Sequence, residues 1–402
     1  LVITNDRALR GSGTLANTGT LRKLSHGTTS LALLLDDDGT IALDAGVLDV
    51  GGGDGGLGSD GIIEIAERSR LRLRDGATTL GAAASVTGAG EIEVTTNATL
   101  TVPASATWEI ATTYLTGGAL ALDGERSLTS LGIYTGTLSG AGTRTVTGSA
   151  VLDVGTLAGA GRTVIAPDAR LQVGTGVGGT LTINGGHVLA LEAGATGVWG
   201  PGPHDIALEA PSRIENAGEL VITNDRALRG SGTLANTGTL RKLSHGTTSL
   251  AIAPEDGSWL VNEGTVEVVA GLLEVTGPGL DNRSIVSLGA TPEAVGRISA
   301  PAFSQTETAT YQVGLAGTTP HARSGSLTVS GPETSLAGAL IVSPDSSFAV
   351  TAPQQLMLLA TPAGVASRSF DTVTGADALP GGATGELLSL PEGVALAVEP
   401  GG

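Results

Sequence analysis

Residues 136–154 read GTLSGAGTRTVTGSAVLDV, and the next 19 residues, 155–173, read GTLAGAGRTVIAPDARLQV. Nine of these 19 aligned positions are identical. ASVTGAGEIEVTTNATLTV, at 84–102, has the same length and the same hydrophobic spacing. A unit this short cannot bury an apolar face alone, so it must stack on neighbours like itself. Inside the units, EIEV, TLTV, TVEVV and LLEV alternate with period two, the pattern of strands. Gly, Asn and Asp break the alternation every five to eight residues and supply the turns. No stretch sustains a helical period.

Short strands, tight turns and a unit of about 19–22 residues predict an all-β chain, a parallel β-solenoid with one unit per coil and coils about 4.8 Å apart. A string of antiparallel sandwiches needs about seven strands per unit, more than such a unit holds. Composition agrees: the chain has 63 Gly and only 2% aromatic residues. Thin layers of Ala, Val, Leu and Ile replace the thick aromatic core of a globular domain.

A second theme is Asn-x-Gly-x-(Leu/Val), at 15–21, 214–220, 234–240 and 260–266, with worn copies in DDGTI (37–41) and SDGII (59–63). Such asparagines can stack as a hydrogen-bonded amide ladder or simply tolerate a left-handed turn. Sequence leaves both readings open. The array is expected over 1–298, with a loop or irregular coil at 174–211. Residues 299–402 hold longer strands and all three Phe, and are expected to cap the open edge of the last coil.

Residues 1–32 recur unchanged at 220–251. Repeats tolerate far looser matches, so identity points to recent duplication, recombination or engineering. Solenoids accept it because each coil contacts only its neighbours. The chain opens on Leu inside a repeat, as a processed product or a window from a longer protein would. Both lysines, Lys23 and Lys242, lie in the duplicated stretch.

The net charge of −18 argues against nucleic acid and anionic lipid as partners. No apolar run is long enough for a membrane-spanning helix. Cysteine is absent, so disulfides contribute nothing.

Few constellations suggest chemistry. GGLGSDGII (55–63) matches a calcium-binding nonapeptide, with Asp54 and Asp60 as oxygen ligands. The nine residues before it do not match, although that site needs stacked copies. Asp36, Asp37 and Asp38 form the densest acidic run and read as a solvated turn. Ser25 and His26, copied among the five histidines (His26, His187, His204, His245, His321), lack a nucleophile-elbow context. Glu91 and Glu93 share a strand face, as the acids of a polysaccharide-cleaving β-helix do, but no carboxylate cluster stacks on them. Thr143, Thr145 and Thr147 resemble an ice-binding ladder, which stops one unit later at Arg162, Val164 and Ala166. Trp108, Trp199 and Trp259 suit sugar stacking or corner filling. Asn97 and Asn282 stand in glycosylation sequons. No catalytic or cofactor-binding residue is assigned.

NAGELVITND, GSGTLANTGTLRKL followed by HGTTSLA, and NEGTVEVVAGLLEVTG resemble the β-helical repeats of large bacterial cell-surface and autotransporter-like adhesins. YQVGLAGTTPHARSGSLTVSGPETSLAGALIV, FDTVTG and LPEGVALAVE are similar to the module that closes such arrays. The resemblance implies a right-handed parallel β-helix at the cell exterior. It implies a non-enzymatic stalk, fibre or adhesive surface whose partners are copies of itself or a glycan. It supplies no catalytic residues.

Overall fold

The computed structural model describes residues 1–51, 56–361, 369–377 and 379–401. It is a parallel β-solenoid and, among the described residues, has no α-helix. The chain divides into two compact units, Leu1–Ala195 and Thr196–Gly402.

In the first unit, each strand pairs in parallel with the strand one coil away. Thr20–Lys23, Thr40–Leu43 and Ile62–Ile65 form one face. Ser85–Val102 then runs around two corners. It pairs with Ile62–Ile65 through 85–87 and with Arg70–Leu80 through 91–94 and 97–101, with a register shift between. The period-two pattern explains the core. Leu21, Ile41, Ile63, Val86 and Trp108 stand in register on successive coils, all buried. Each such aliphatic side chain contributes up to about 1.5–3 kcal/mol by leaving water.

The second unit repeats the plan. Leu220, Leu240, Val266, Val286, Tyr311 and Leu340 form one inward column. Tyr311 donates its hydroxyl proton to Leu358 O at 2.6 Å and lies between Phe303 and Phe370. Parallel pairing passes through 298–299 without a break, since Arg297 faces Ser326 and Ile298 faces Leu327. Antiparallel pairing takes over only between Gln354–Ala360, Gly393–Glu399 and Thr384–Leu390.

Coil length varies more than the expected 19–22 residues. Thr112 faces Ser130, a step of 18, while Ala339 faces Thr372, a step of 33. Extra residues collect at the corners, where they leave the ladders undisturbed. The stretch 174–211, expected as a loop or irregular coil, carries strands Gly179–Ile183, Val188–Leu191, Thr196–Trp199 and His204–Leu208.

Candidate functional site

The Asn-x-Gly motif resolves residue by residue. In the second unit Asn216 donates its side-chain N–H to Asn236 Oδ1 (2.8 Å), Asn236 to Asn262 Oδ1 (2.8 Å), Asn262 to Asn282 Oδ1 (3.0 Å), and Asn282 to Gln305 Oε1 (3.2 Å). The same nitrogens also donate to the carbonyls of Thr239, Thr265, Ile285 and Thr310. All five side chains are buried. Glycine two residues later turns the corner, where backbones nearly touch: a Cβ on Gly264 would lie 2.1 Å from Gly238 O. The apolar residue after that enters the core column. The amide ladder is therefore what the asparagines are for. Among the described residues, only Arg68 and Asp168 adopt positive φ without being glycine, so the left-handed-turn reading fails.

The worn copies keep the geometry with other chemistry. Asn17 donates to Asp37 Oδ1 at 2.5 Å, and Ser59 donates its hydroxyl proton to Asp37 Oδ2 at 3.1 Å. Burial raises the Asp37 carboxyl above its usual value, although Asn17 and Ser59 oppose this. Asp37 is thus a buried rung, not part of a solvated turn.

Both copies of the duplicated stretch build one lysine clamp. Lys23 Nζ donates to Ser25 O (2.7 Å) and Ser25 Oγ (2.6 Å) and lies 3.6 Å from Asp6. Lys242 Nζ donates to Ser244 O (3.0 Å) and Ser244 Oγ and lies 3.3 Å from Asp225. Burial lowers both amines, and the aspartates oppose it. Ser25 passes its proton to Asn5 O, as Ser244 does to Asn224 O, so these hydroxyls hold the turn together. Neighbours set what the copies expose. Leu9 is 43% exposed, whereas its equivalent Leu228 is 3% exposed beneath strand His204–Leu208.

Asp60 is exposed on the corner of the SDGII motif, at the variable position of Asn-x-Gly, and Asp54 lies outside the described residues. Among the described residues no three His, Asp or Glu side chains gather as a metal site. Thr143 and Thr145 face Arg162 and Val164 one coil on, so no threonine ladder forms. Trp108 and Trp199 are 3% and 1% exposed, and Trp199 donates to His204 O at 2.9 Å. Trp259 lies half-buried over Gly279. Asn282 is buried within the ladder, while Asn97 is exposed.

Glu91 and Glu93 do share an outer face, but arginines from the preceding coil take them up. Arg70 donates to Glu91 (2.8 Å) and Glu93 (3.0 Å), Arg72 donates to Glu93 (2.9 Å), and Thr116 donates to Glu93 Oε1 (3.0 Å). Burial raises the Glu93 carboxyl, but the hydrogen bonds and arginine charges outweigh it and hold it below the usual range. A glycosidase acid needs the opposite shift. One coil further, Tyr114 stands in register with Glu93, and its ring lies 6.0 Å from that of Tyr134. The Arg70 guanidinium is 6.0 Å from the Tyr114 ring centre, a cation–π distance.

Several of these residues carry no sequence motif. Arg126 and Arg144 face inward on successive coils and donate to backbone carbonyls, Arg126 to Pro103, Ala106 and Asp123, Arg144 to Leu122, Ser139 and Gly140. Their only sequence signal is parity, since Arg144 alternates in phase with Val146. Tyr114, Tyr134, Arg70 and Arg72 meet only through the coil register. Compared with known proteins, the sequence matches no family model and no curated protein.

Proposed function

We propose that this chain is a non-enzymatic structural and adhesive repeat protein of the cell exterior, serving as a stalk, fibre or coat of the bacterial cell-surface type. The observation that carries this reading is the buried amide ladder Asn216–Asn236–Asn262–Asn282–Gln305, which adds side-chain hydrogen bonds to every coil it crosses. Such a ladder resists separation of coils and does no chemistry of its own. The exact duplication at 1–32 and 220–251 fits a chain whose coil number changes without changing its role. The antiparallel strands after Gln354 support 299–402 as the module that closes the array. Partners on this reading are copies of the chain or a surface glycan.

Single-molecule stretching tests the mechanical part. A coil of 20–26 residues, the steps from Asn216 to Asn236 and from Asn236 to Asn262, should release about 70–90 Å of contour as it peels away. Stepwise release of that size at high force is expected. Collapse of the second unit in one low-force event contradicts the reading. Release of reducing ends from any polysaccharide during incubation contradicts the non-enzymatic part.

A further inference from the structure

We propose that the outer surface of the first unit binds a neutral glycan chain, in a cleft that turns a corner onto the Tyr114–Tyr134 ring pair. The proposal concerns a ligand site and does not depend on the mechanical reading. A chain that resists force but binds no glycan would remove this inference alone.

The cleft has a volume of about 760 Å³ and crosses three successive coils. Its walls are the outward residues Thr87, Thr107, Glu109, Glu125, Ser127 and Thr129. Register puts Thr87 beside Glu109 on one face. The lining is nearly all hydroxyl and carboxylate, which suits a ligand rich in hydroxyls. It does not suit an apolar ligand, which needs a mainly apolar pocket. Trp108 forms part of the floor, and its indole N–H has no acceptor within the protein.

The cleft reaches the corner at Ala111 and Thr129. Their chain neighbours Thr112 and Ser130 are register partners on the adjoining face, and Ser130 Oγ lies 3.3 Å from Ser149 Oγ. Two residues beyond Thr112 stands Tyr114, opposite Gly132. The absence of a side chain at Gly132 seats the rings. A Cβ there would lie 2.6 Å from Tyr114 Cδ1 and 3.1 Å from Tyr134 Cε2. Tyr134 is 39% exposed, an unusual presentation for a ring in this aromatic-poor chain. An aromatic face with polar neighbours offers stacking to the C–H face of a sugar and leaves its hydroxyls to the flanking groups.

Charge selects among glycans. The cleft presents two carboxylates outward, Glu109 and Glu125, while the guanidinium of Arg126 is turned inward onto carbonyls. Arg70 and Arg72 are taken up by Glu91 and Glu93. Together with a net charge of −18, this disfavours uronate, sulfated or phosphorylated chains and leaves neutral ones.

The test is calorimetric titration of the intact chain with cellohexaose, maltoheptaose and chitohexaose, and with hexagalacturonate as the acidic counterpart. At least one neutral oligosaccharide is expected to bind, and hexagalacturonate to bind more weakly or not at all. Tyr134→Ala should weaken binding roughly tenfold, and Tyr134→Phe should retain it. Glu109→Ala should weaken it as well. The exposed position of Tyr134 makes unfolding an unlikely confounder, and unchanged circular dichroism of the variant checks this. Absence of binding to all three neutral probes overturns the proposal. So does binding indifferent to both Tyr134→Ala and Glu109→Ala, or hexagalacturonate binding as tightly as the neutral chains.

Discussion

Replacing Asn262 by Leu removes one rung of the amide ladder while nearly keeping its volume. Three hydrogen bonds go: those to Asn282 Oδ1 and Ile285 O, and the one accepted from Asn236. Their removal costs about 1 kcal/mol each. The groups left behind are not stranded. Asn236 Nδ2 still donates to Thr265 O, and Asn282 Oδ1 still accepts from Ser284 N. The extra apolar burial of Leu returns part of the loss, so Asn262→Leu should destabilise its surroundings by about 2–3 kcal/mol. Repeat arrays open locally, so the effect should be confined to neighbouring coils. Hydrogen exchange is the suitable assay. Backbone amides in Leu260–Asn262, Thr265–Val268 and Leu280–Asn282 should exchange roughly 30- to 150-fold faster than in the parent chain. Asn97→Leu, at an exposed asparagine, is the control. If Asn262→Leu changes exchange by no more than roughly twofold, the range of a surface substitution, the ladder contributes nothing and the reasoning is wrong.

Asp37 and His187 give the first unit opposite responses to acid. Burial raises the Asp37 carboxyl, so its contribution is fully present below the usual carboxylate value and lost as pH rises through the folded one. Asp37→Asn should therefore stabilise the first unit by about 1 kcal/mol at pH 7 and give no gain at pH 3, read by denaturant melts at the two values. Burial, followed by the charge of Arg144, lowers His187 to about 4. Its contribution is fully present above the ordinary histidine value and is lost as pH falls through 4, about 3 kcal/mol in all. His187→Gln should flatten that part of the stability profile. Asp225→Asn deprives the buried Lys242 amine of its carboxylate and should cost about 1 kcal/mol, the low end for a half-exposed partner. Faster hydrogen exchange in Thr239–Lys242 is the readout, and unchanged exchange there contradicts the clamp.

The fold was legible because its rule is local. Period-two alternation chose strands, a 19-residue identity chose coils, and Asn-x-Gly marked one corner of each coil. The role of the asparagines was not legible, because an amide suits both a ladder and a left-handed turn. Only the register, which brings Asn216 beside Asn236 and Asn236 beside Asn262, decides between them. Coil length was read too narrowly, since corners hold extra residues at no cost to the ladders. Strands hidden in 174–211 escaped notice because glycines dilute their alternation. Arg126 and Arg144 escaped because arginine is expected outside, yet the corner carbonyls satisfy its donors within. The Tyr114–Tyr134 pair depends on Gly132, 18 residues from Tyr114 and opposite it in register, a relation no linear motif records.

The central claim, that buried side-chain amides tie successive coils together, is tested most directly by side-chain amide exchange in the chain labelled with nitrogen-15 at asparagine. Asn236, Asn262 and Asn282 each donate twice or more from a buried nitrogen, so their N–H signals should resist exchange with water far longer than that of exposed Asn97. Ladder amides that exchange as fast as Asn97 would contradict the account.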